Sequence, residues 1–279
     1  MKRFYEGVSV WPGACWLLVF FAVPLGIIAV ISFTQRDLAG LIRWEFTLDN
    51  YLRLLERSFW VGPLGNSVAL AVLTTVICLV LGYPLAYVLA RSPTRRKHLL
   101  LFLVVLPSFT NFLVRIYAWF ILLRPEGWLS WGLRLLGIEA NLFGSWVGVL
   151  IGLVYGYLPF MILPVYATLE RLDYALVEAA YDLGASRWQV FRRVIFPLSR
   201  PGIVAGSIVV FLPVLGEFLA PKLLGGGKVP TIGVLIEEKF LGRVPDWPLG
   251  AAIALTVMAL GLLAVSRHFH AVRESRWVG

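Results

Sequence analysis

Two ionisable side chains, Arg115 and Glu217, fall within long apolar stretches of the sequence. Charged residues at such positions are rare and usually face the interior of a helix bundle or a polar path. Their opposite charges allow an ion pair that holds two helices together. Aromatic residues lie close by at Tyr117, Trp119 and Phe218, and aromatic faces attract cations. The sequence therefore predicts either an internal ion pair or a pair of groups that border a solute path.

A polar segment at residues 169–200 separates two apolar stretches and carries the second pattern of functional interest. Asp173 is placed to cap a helix with one apolar face, and Gly184 is placed to end it in a left-handed conformation. Ser186 is placed to cap a second helix, which Pro197 is expected to end. We call residues 173–197 the elbow. Its apolar face needs a partner, which is either the lipid headgroup region or another protein.

The composition indicates a protein that crosses a membrane several times. Of the 279 residues, 59% are hydrophobic and only 15% are charged, which leaves too little polar surface for a soluble domain of this size. The apolar runs do not alternate as barrel strands do, so they are predicted to be helices. We therefore predict an all-α polytopic membrane protein, residues 1–279 forming a single domain with six transmembrane helices. The predicted spans are about 11–33, 66–90, 99–123, 145–168, 202–221 and 247–266.

Basic residues predict the orientation of these spans. The cluster Arg95-Arg96-Lys97 favours a cytoplasmic location for its loop, and with it for both termini and for residues 169–200. The net charge of +9 is then explained by topology rather than by nucleic-acid binding. With this orientation, Arg115 and Glu217 lie at similar distances from the inner ends of their spans, so we expect them at similar depth.

The elbow pattern resembles the signature loop of ABC importer permeases, the EAA loop. The matching residues are Glu178, Ala179, Ala180, Gly184, Val194, Phe196 and Pro197, with Val194 and Phe196 in place of the commoner Ile and Leu. Other segments resemble the spermidine/putrescine permease branch of that family. They are 106–107 (LP), 113–119 (LVRIYAW), 158–164 (LPFMILP), 216–218 (GEF), 223–226 (LLGG) and 246–252 (DWPLGAA).

This resemblance implies a type I ABC importer permease with the MetI-like fold, in the cytoplasmic (inner) membrane of a bacterium. Its implied partners are cytoplasmic ATPase subunits, a second permease subunit of different sequence, an external solute-binding protein and the lipid membrane. It implies no catalysis by the chain itself, because a separate subunit hydrolyses ATP. The residues it assigns to ATPase coupling are Glu178, Ala179, Ala180, Asp182, Gly184, Arg187 and Pro197. A polyamine solute would give Glu217 a role as an ammonium contact.

Three alternatives stay open at this stage. The first alternative is a permease for another small solute, the second is an ion-coupled secondary transporter, and the third is a membrane enzyme. A secondary transporter would be expected to show inverted repeats, and an enzyme a cluster of reactive side chains. The run Gly225-Gly226-Gly227-Lys228 fails the phosphate-loop pattern. No nucleotide, metal or other cofactor is therefore expected on this chain.

Overall fold

The structure is a computed structural model that describes residues 11, 13, 15–37, 42–56, 58–137 and 141–274, with side chains as far as Leu263. Helices dominate it, which confirms the all-α prediction. The α-helices are α1 (Val23–Ser32), α2 (Asp49–Glu56), α3 (Val61–Arg91), α4 (Thr94–Val105), α5 (Phe112–Leu123), α6 (Trp128–Leu135), α7 (Trp146–Glu170), α8 (Ala175–Asp182), α9 (Arg187–Val190), α10 (Phe196–Leu215), α11 (Leu219–Leu224), α12 (Ile232–Leu241) and α13 (Trp247–Glu274).

Shorter elements complete the secondary structure. Two segments are π-helical, Leu18–Ala22 and Phe191–Ile195, and two are 3₁₀-helical, Ser58–Trp60 and Leu106–Phe109. An antiparallel ribbon is formed by β1 (Gln35–Arg36) and β2 (Ile42–Arg43), with Gln35 opposite Arg43.

Among the described residues, four continuous helices are long and apolar enough to cross a membrane. They are Cys15–Ser32, Ser58–Arg91, Trp146–Glu170 and Arg187–Leu215. A bent pair, Thr94–Phe109 with Phe112–Leu135, passes the same test only as two helices joined at 87°. A shorter apolar stretch covers Trp247–Leu263. The count of six spans stays a prediction, and the termini at 1–10 and 275–279, which were predicted to be cytoplasmic, lie outside the described residues.

The predicted span 99–123 is not one straight helix. Its first part ends in the 3₁₀ segment Leu106–Phe109, which contains Pro107. The Asn111 side chain then starts a new helix, because its Oδ1 accepts a 2.8 Å hydrogen bond from the Leu113 amide. The apolar pattern runs through both pieces, so hydropathy alone did not reveal the break.

The predicted span 202–221 also differs from the structure, at both ends. The helix that covers its first part begins at Arg187 and ends at Leu215, so that Gly216 follows its last turn. The chain resumes as α11 at Leu219. Residues 216–218 therefore form a break, and Glu217 lies in that break rather than inside a span.

The described chain divides into two compact units, and each is described here by itself. One combines the residues up to Val61 with those from Leu235 onward. Within it, α13 packs along α1 and contacts α2. The Asp246 carboxylate is buried and accepts a 3.2 Å hydrogen bond from the Leu249 amide, which caps the start of α13. Arg36 lies 3.9 Å from the same carboxylate.

The second unit, residues 62–234, holds the extended apolar core. Its largest contact joins α7 and α10, where small residues let the two backbones approach closely. A Cβ atom added at Gly202 would lie 2.5 Å from the Thr168 hydroxyl, and one at Gly206 would lie 2.8 Å from the Met161 sulfur. The elbow and the two intramembrane charges predicted from the sequence all belong to this unit.

Candidate functional site

The first helix of the elbow, α8, forms as the sequence predicts. The Asp173 carboxylate accepts a 3.0 Å hydrogen bond from the Ala175 amide, so an acidic side chain caps the free amides at its start. Val177 is buried and faces the rest of the unit, whereas Glu178 and Ala179 are exposed. The helix therefore presents its acidic and small residues outward.

A left-handed glycine ends α8. Gly184 has φ +79°, a region that residues with a Cβ adopt only with strain. Its amide donates to the Tyr181 carbonyl at 2.8 Å, and the Ala185 amide donates to the Ala180 carbonyl at 3.1 Å. These two bonds form a Schellman motif, which satisfies the last carbonyls of the helix and turns the chain sharply.

The second helix of the elbow is capped by Ser186, as predicted. The Gln189 amide donates to the Ser186 hydroxyl at 3.4 Å, and the Gln189 side chain accepts from the Ser186 amide at 2.8 Å, which completes a capping box.

Pro197 does not end this helix, contrary to the prediction. The chain continues from α9 through the π-helical segment Phe191–Ile195 into α10. In that segment the Phe196 amide donates to the Phe191 carbonyl, five residues back. Pro197 then lies in the first turn of α10, directly after the π-helical segment.

The outer surface of the elbow is suited to a protein contact. Leu183 is 89% exposed and Trp188 is 66% exposed, although both are apolar. Between the two elbow helices lies a depression of about 390 Å³ whose lining is Ala180, Leu183, Gly184, Ala185, Gln189, Val190, Arg193 and Val194. Of the residues predicted to couple to an ATPase, Glu178, Ala179, Asp182, Gly184 and Arg187 are exposed, and Ala180 and Pro197 are partly buried.

Glu217 lies in the break between α10 and α11 and is held by both carboxylate oxygens. Its Oε2 accepts a 3.0 Å hydrogen bond from the Tyr157 hydroxyl on α7. Its Oε1 accepts a 2.9 Å bond from the Leu219 amide, which caps α11. Thr231 donates to the Glu217 carbonyl at 3.3 Å. The carboxylate therefore connects a core helix to an irregular segment of the same unit.

Arg115 and Glu217 are not joined by a direct ion pair; they are connected through Phe112, whose ring packs against Tyr157 with ring centres 5.9 Å apart. No pair within 4.0 Å joins their charged atoms in the part of the chain that the structure describes. The Arg115 guanidinium lies 5.4 Å from the centre of the Phe112 ring, a cation–π contact. Sequence reasoning missed Tyr157; the signal for it was a phenol within an apolar run, since a buried hydroxyl needs a partner.

The aromatic candidates are not gathered around Glu217. Trp119 is partly buried and packs edge-on against Tyr155, with ring centres 5.5 Å apart. Tyr117 is 44% exposed and contacts Phe120, and Phe218 is 41% exposed. The structure thus joins Tyr157 to Glu217 and connects Arg115 to them through Phe112, whereas Tyr117 and Phe218 are exposed and Trp119 packs against Tyr155.

Replacing Arg115 with methionine is expected to stabilise the protein. Arg115 is only 9% exposed, and its Nε and Nη1 are buried with no hydrogen-bond partner among the described residues. Because unsatisfied buried donors cost free energy, an apolar chain of similar length should raise the free energy of unfolding by about 1–3 kcal/mol. The unfolding midpoint of the purified protein in detergent measures this. A lower midpoint would show that the guanidinium is satisfied in the native membrane protein.

No group of three or more His, Cys, Asp or Glu side chains converges in the described parts of the chain. Cys78 is buried and Cys15 is exposed, and both are free thiols. The arrangement offers an exposed elbow joined to a bundle of apolar helices, with a partly buried carboxylate and phenol and a buried guanidinium. Those features define a helical membrane protein with an exposed surface suited to a protein partner.

The comparisons identify the family. Residues 79–278 match the model of the family described as binding-protein-dependent transport system inner membrane component, so the chain belongs to that family. The predicted family is thereby confirmed. The chain is 45% identical over 258 residues to the spermidine/putrescine transport system permease protein PotB of Escherichia coli strain K12, covering 90% of this chain and 93% of that protein. It is 39% identical to PotB of Haemophilus influenzae, covering 92% of this chain and 90% of that protein.

Solved structures agree with the fold. A bacterial ABC transporter that imports the acidic polysaccharide alginate contains a chain that superposes with a TM-score of 0.79. The match covers 98% of this chain and 96% of that chain at 18% identity, so it is evidence for the fold alone. A chain of the MetNI methionine ABC transporter superposes with a TM-score of 0.54 and covers 79% of this chain. The MetI-like permease fold predicted from the sequence is confirmed.

Proposed function

We propose that this chain is a transmembrane permease subunit of an ATP-driven importer for polyamines such as spermidine and putrescine. The observation that carries the proposal is the 45% identity to the E. coli PotB protein over 90% of this chain. Proteins that are this similar over nearly their full length share a fold and a general role. The identity of the solute is the more specific part of the proposal.

The elbow is the proposed contact with a cytoplasmic ATPase. Glu178 would face a basic residue of the ATPase, and the small Ala179 and Ala180 would permit close approach of the two backbones. Asp182 and Arg187 lie on either side of the Gly184 turn and would contribute charge contacts, and Pro197 marks the point where the elbow enters the membrane helix. The exposure of Leu183 and Trp188 supports this role, because a docked partner would remove their apolar surface from water.

The remaining partners follow from the same proposal. A second permease subunit of different sequence would complete the solute path, and a binding protein on the opposite face would deliver the solute. Both termini and the elbow would lie in the cytoplasm of a bacterial cell, with the helices in its inner membrane. The chain would not catalyse a reaction, since the ATPase would hydrolyse the nucleotide.

The solute path would pass the break at Glu217. A carboxylate beside a phenol suits a chain of ammonium groups, and the candidates predicted from the sequence are Glu217, Arg115, Tyr117, Trp119 and Phe218. When no solute is bound, the positive charge of Arg115 would partly balance the negative charge of Glu217. A bound cation would then take over that role.

Reconstitution tests this function. The chain, co-expressed with candidate ATPase and second permease subunits, would be placed in proteoliposomes with a candidate binding protein. We expect ATP-dependent uptake of labelled spermidine and putrescine and no uptake of molybdate. Molybdate is a pointed control, because the molybdenum permease ModB of Azotobacter vinelandii is 31% identical over 72% of this chain. Uptake of molybdate alone would assign another solute, and uptake driven by an ion gradient without ATP would refute the importer mechanism.

A further inference from the structure

One face of helix α3 touches both ends of the elbow. Tyr83, Tyr87 and Arg91 are spaced four residues apart, so they form a single stripe along that helix. At one end of the stripe, the Arg91 guanidinium lies 4.4 Å from the centre of the Tyr174 ring, next to the start of α8. It also lies 5.9 Å from the Tyr87 ring centre.

The other end of the stripe reaches the point where the elbow joins α10. The Tyr83 and Ser199 hydroxyls are 3.0 Å apart, and both residues are buried. The Ser199 hydroxyl also lies 2.9 Å from the Phe196 carbonyl, and when it donates to that carbonyl Tyr83 is the donor in the bond between the two. The Tyr83 ring also meets Phe191 edge-on, with ring centres 5.8 Å apart and planes at 87°.

The joint held in this way is the π-helical segment Phe191–Ile195. A π-helical turn carries one residue more than an α-helical turn, and such turns are uncommon and found frequently at functional sites. Phe191 and Phe196, which flank the extra residue, both contact the Tyr83 ring, the second with ring centres 6.1 Å apart. Without a contact that fixes this turn, a movement of the elbow would change the hydrogen-bond register of the turn and would not be passed on to α10.

We propose that the Tyr83–Tyr87–Arg91 stripe couples the elbow to helix α3, with the Tyr83–Ser199 bond keeping the π-helical joint in register. Motion of the elbow then moves α3 and α10 together instead of being lost at the joint. This inference rests on the proposed function, since it assigns these residues to the transmission of motion in an ATP-driven importer. Tyr83 and Ser199 are positioning residues and contact neither solute nor nucleotide in this scheme.

The test compares variants that remove one hydroxyl each. Tyr83→Phe and Ser199→Ala delete the bond from its two sides, and Tyr51→Phe is the matched control. Tyr51 makes the same kind of bond, 2.8 Å from the Ser32 hydroxyl, in the other compact unit. We expect the solute transported per ATP hydrolysed to fall about fivefold in Tyr83→Phe and Ser199→Ala, with subunit assembly and basal ATP hydrolysis unchanged. The double variant should be no worse than Ser199→Ala alone, because that variant already lacks the bond to Tyr83.

A second measurement is independent of transport. Amide hydrogen exchange at residues 191–199 of the purified full chain should rise about fivefold in Tyr83→Phe and stay at the wild-type rate in Tyr51→Phe. Unchanged exchange and an unchanged ratio of solute to ATP would overturn the proposal, as would an equal loss of coupling in the Tyr51 variant. Failure of the proposed function itself is separate, because it would show in the wild-type assembly as a lack of solute-stimulated ATP hydrolysis.

Discussion

Replacing Gly184 with valine should reduce polyamine uptake and solute-stimulated ATP hydrolysis by roughly tenfold or more, because the elbow then cannot keep its turn. Gly184 has φ +79°, and a β-branched residue in that region is strained by at least ~1–2 kcal/mol. The chain relieves the strain by breaking the Schellman bonds of Tyr181 and Ala180. Glu178 and Arg187, which lie on opposite sides of the turn, would then no longer present one continuous surface to the ATPase. Uptake and ATPase assays in proteoliposomes measure both effects.

Gly137 provides the matched control for this variant. It has φ +74°, and a Cβ atom added there would meet nothing within 4 Å, as is also true at Gly184. Gly137→Val therefore imposes the same backbone strain in the segment after α6, outside the elbow. We expect the Gly137 variant to keep most of its uptake and to retain the ATPase on purification, whereas the Gly184 variant should lose ATPase on washing. Equal loss in both variants would attribute the effect to general instability and remove the elbow from the coupling mechanism.

The local geometry of the elbow could be predicted because it depends on short-range chemistry. Asp173, Gly184 and Ser186 each act on backbone groups within three residues or so, and their residue types state what they do. The continuation past Pro197 could not be predicted in this way. It runs through a π-helical turn, which has no sequence signature of its own and which contacts Tyr83, more than a hundred residues away along the chain.

The break at 216–218 escaped prediction for a related reason. Leu215 and Leu219 continue the apolar pattern on both sides of Glu217, so a hydropathy window does not register the interruption. The backbone leaves the helix because other groups satisfy it: Thr231 binds the Glu217 carbonyl, and Glu217 itself caps α11. Gly233 packs closely against this break because it has no side chain. A Cβ atom added there would lie only 2.4 Å from the Gly216 carbonyl oxygen. Only the tertiary structure brings these residues together.

Substituting Glu217 with glutamine should lower polyamine uptake about tenfold without affecting assembly, because it removes the charge and little else. The glutamine oxygen can still accept from the Leu219 amide, and its NH₂ group can donate to the Tyr157 oxygen with that hydroxyl rotated. A carboxylate binds an ammonium group by a charge-assisted bond, which is about twice as strong as its neutral counterpart. The measurement is the initial rate of uptake over a range of solute concentrations, for spermidine and for putrescine.

The variant Tyr157→Phe distinguishes the effect of the Glu217 charge on uptake from the effect of the position of its carboxylate. That variant deletes the 3.0 Å bond to the carboxylate but leaves the negative charge and the bond to Leu219 in place. If the charge contacts the solute, Tyr157→Phe should lose only about two- to fivefold in uptake, which is the worth of one hydrogen bond. Spermidine, which has one more ammonium group than putrescine, should suffer the larger loss in Glu217→Gln. A glutamine variant that transports both amines at the wild-type rate would place the solute path away from Glu217, and the carboxylate would then serve only to hold the α10–α11 break against α7.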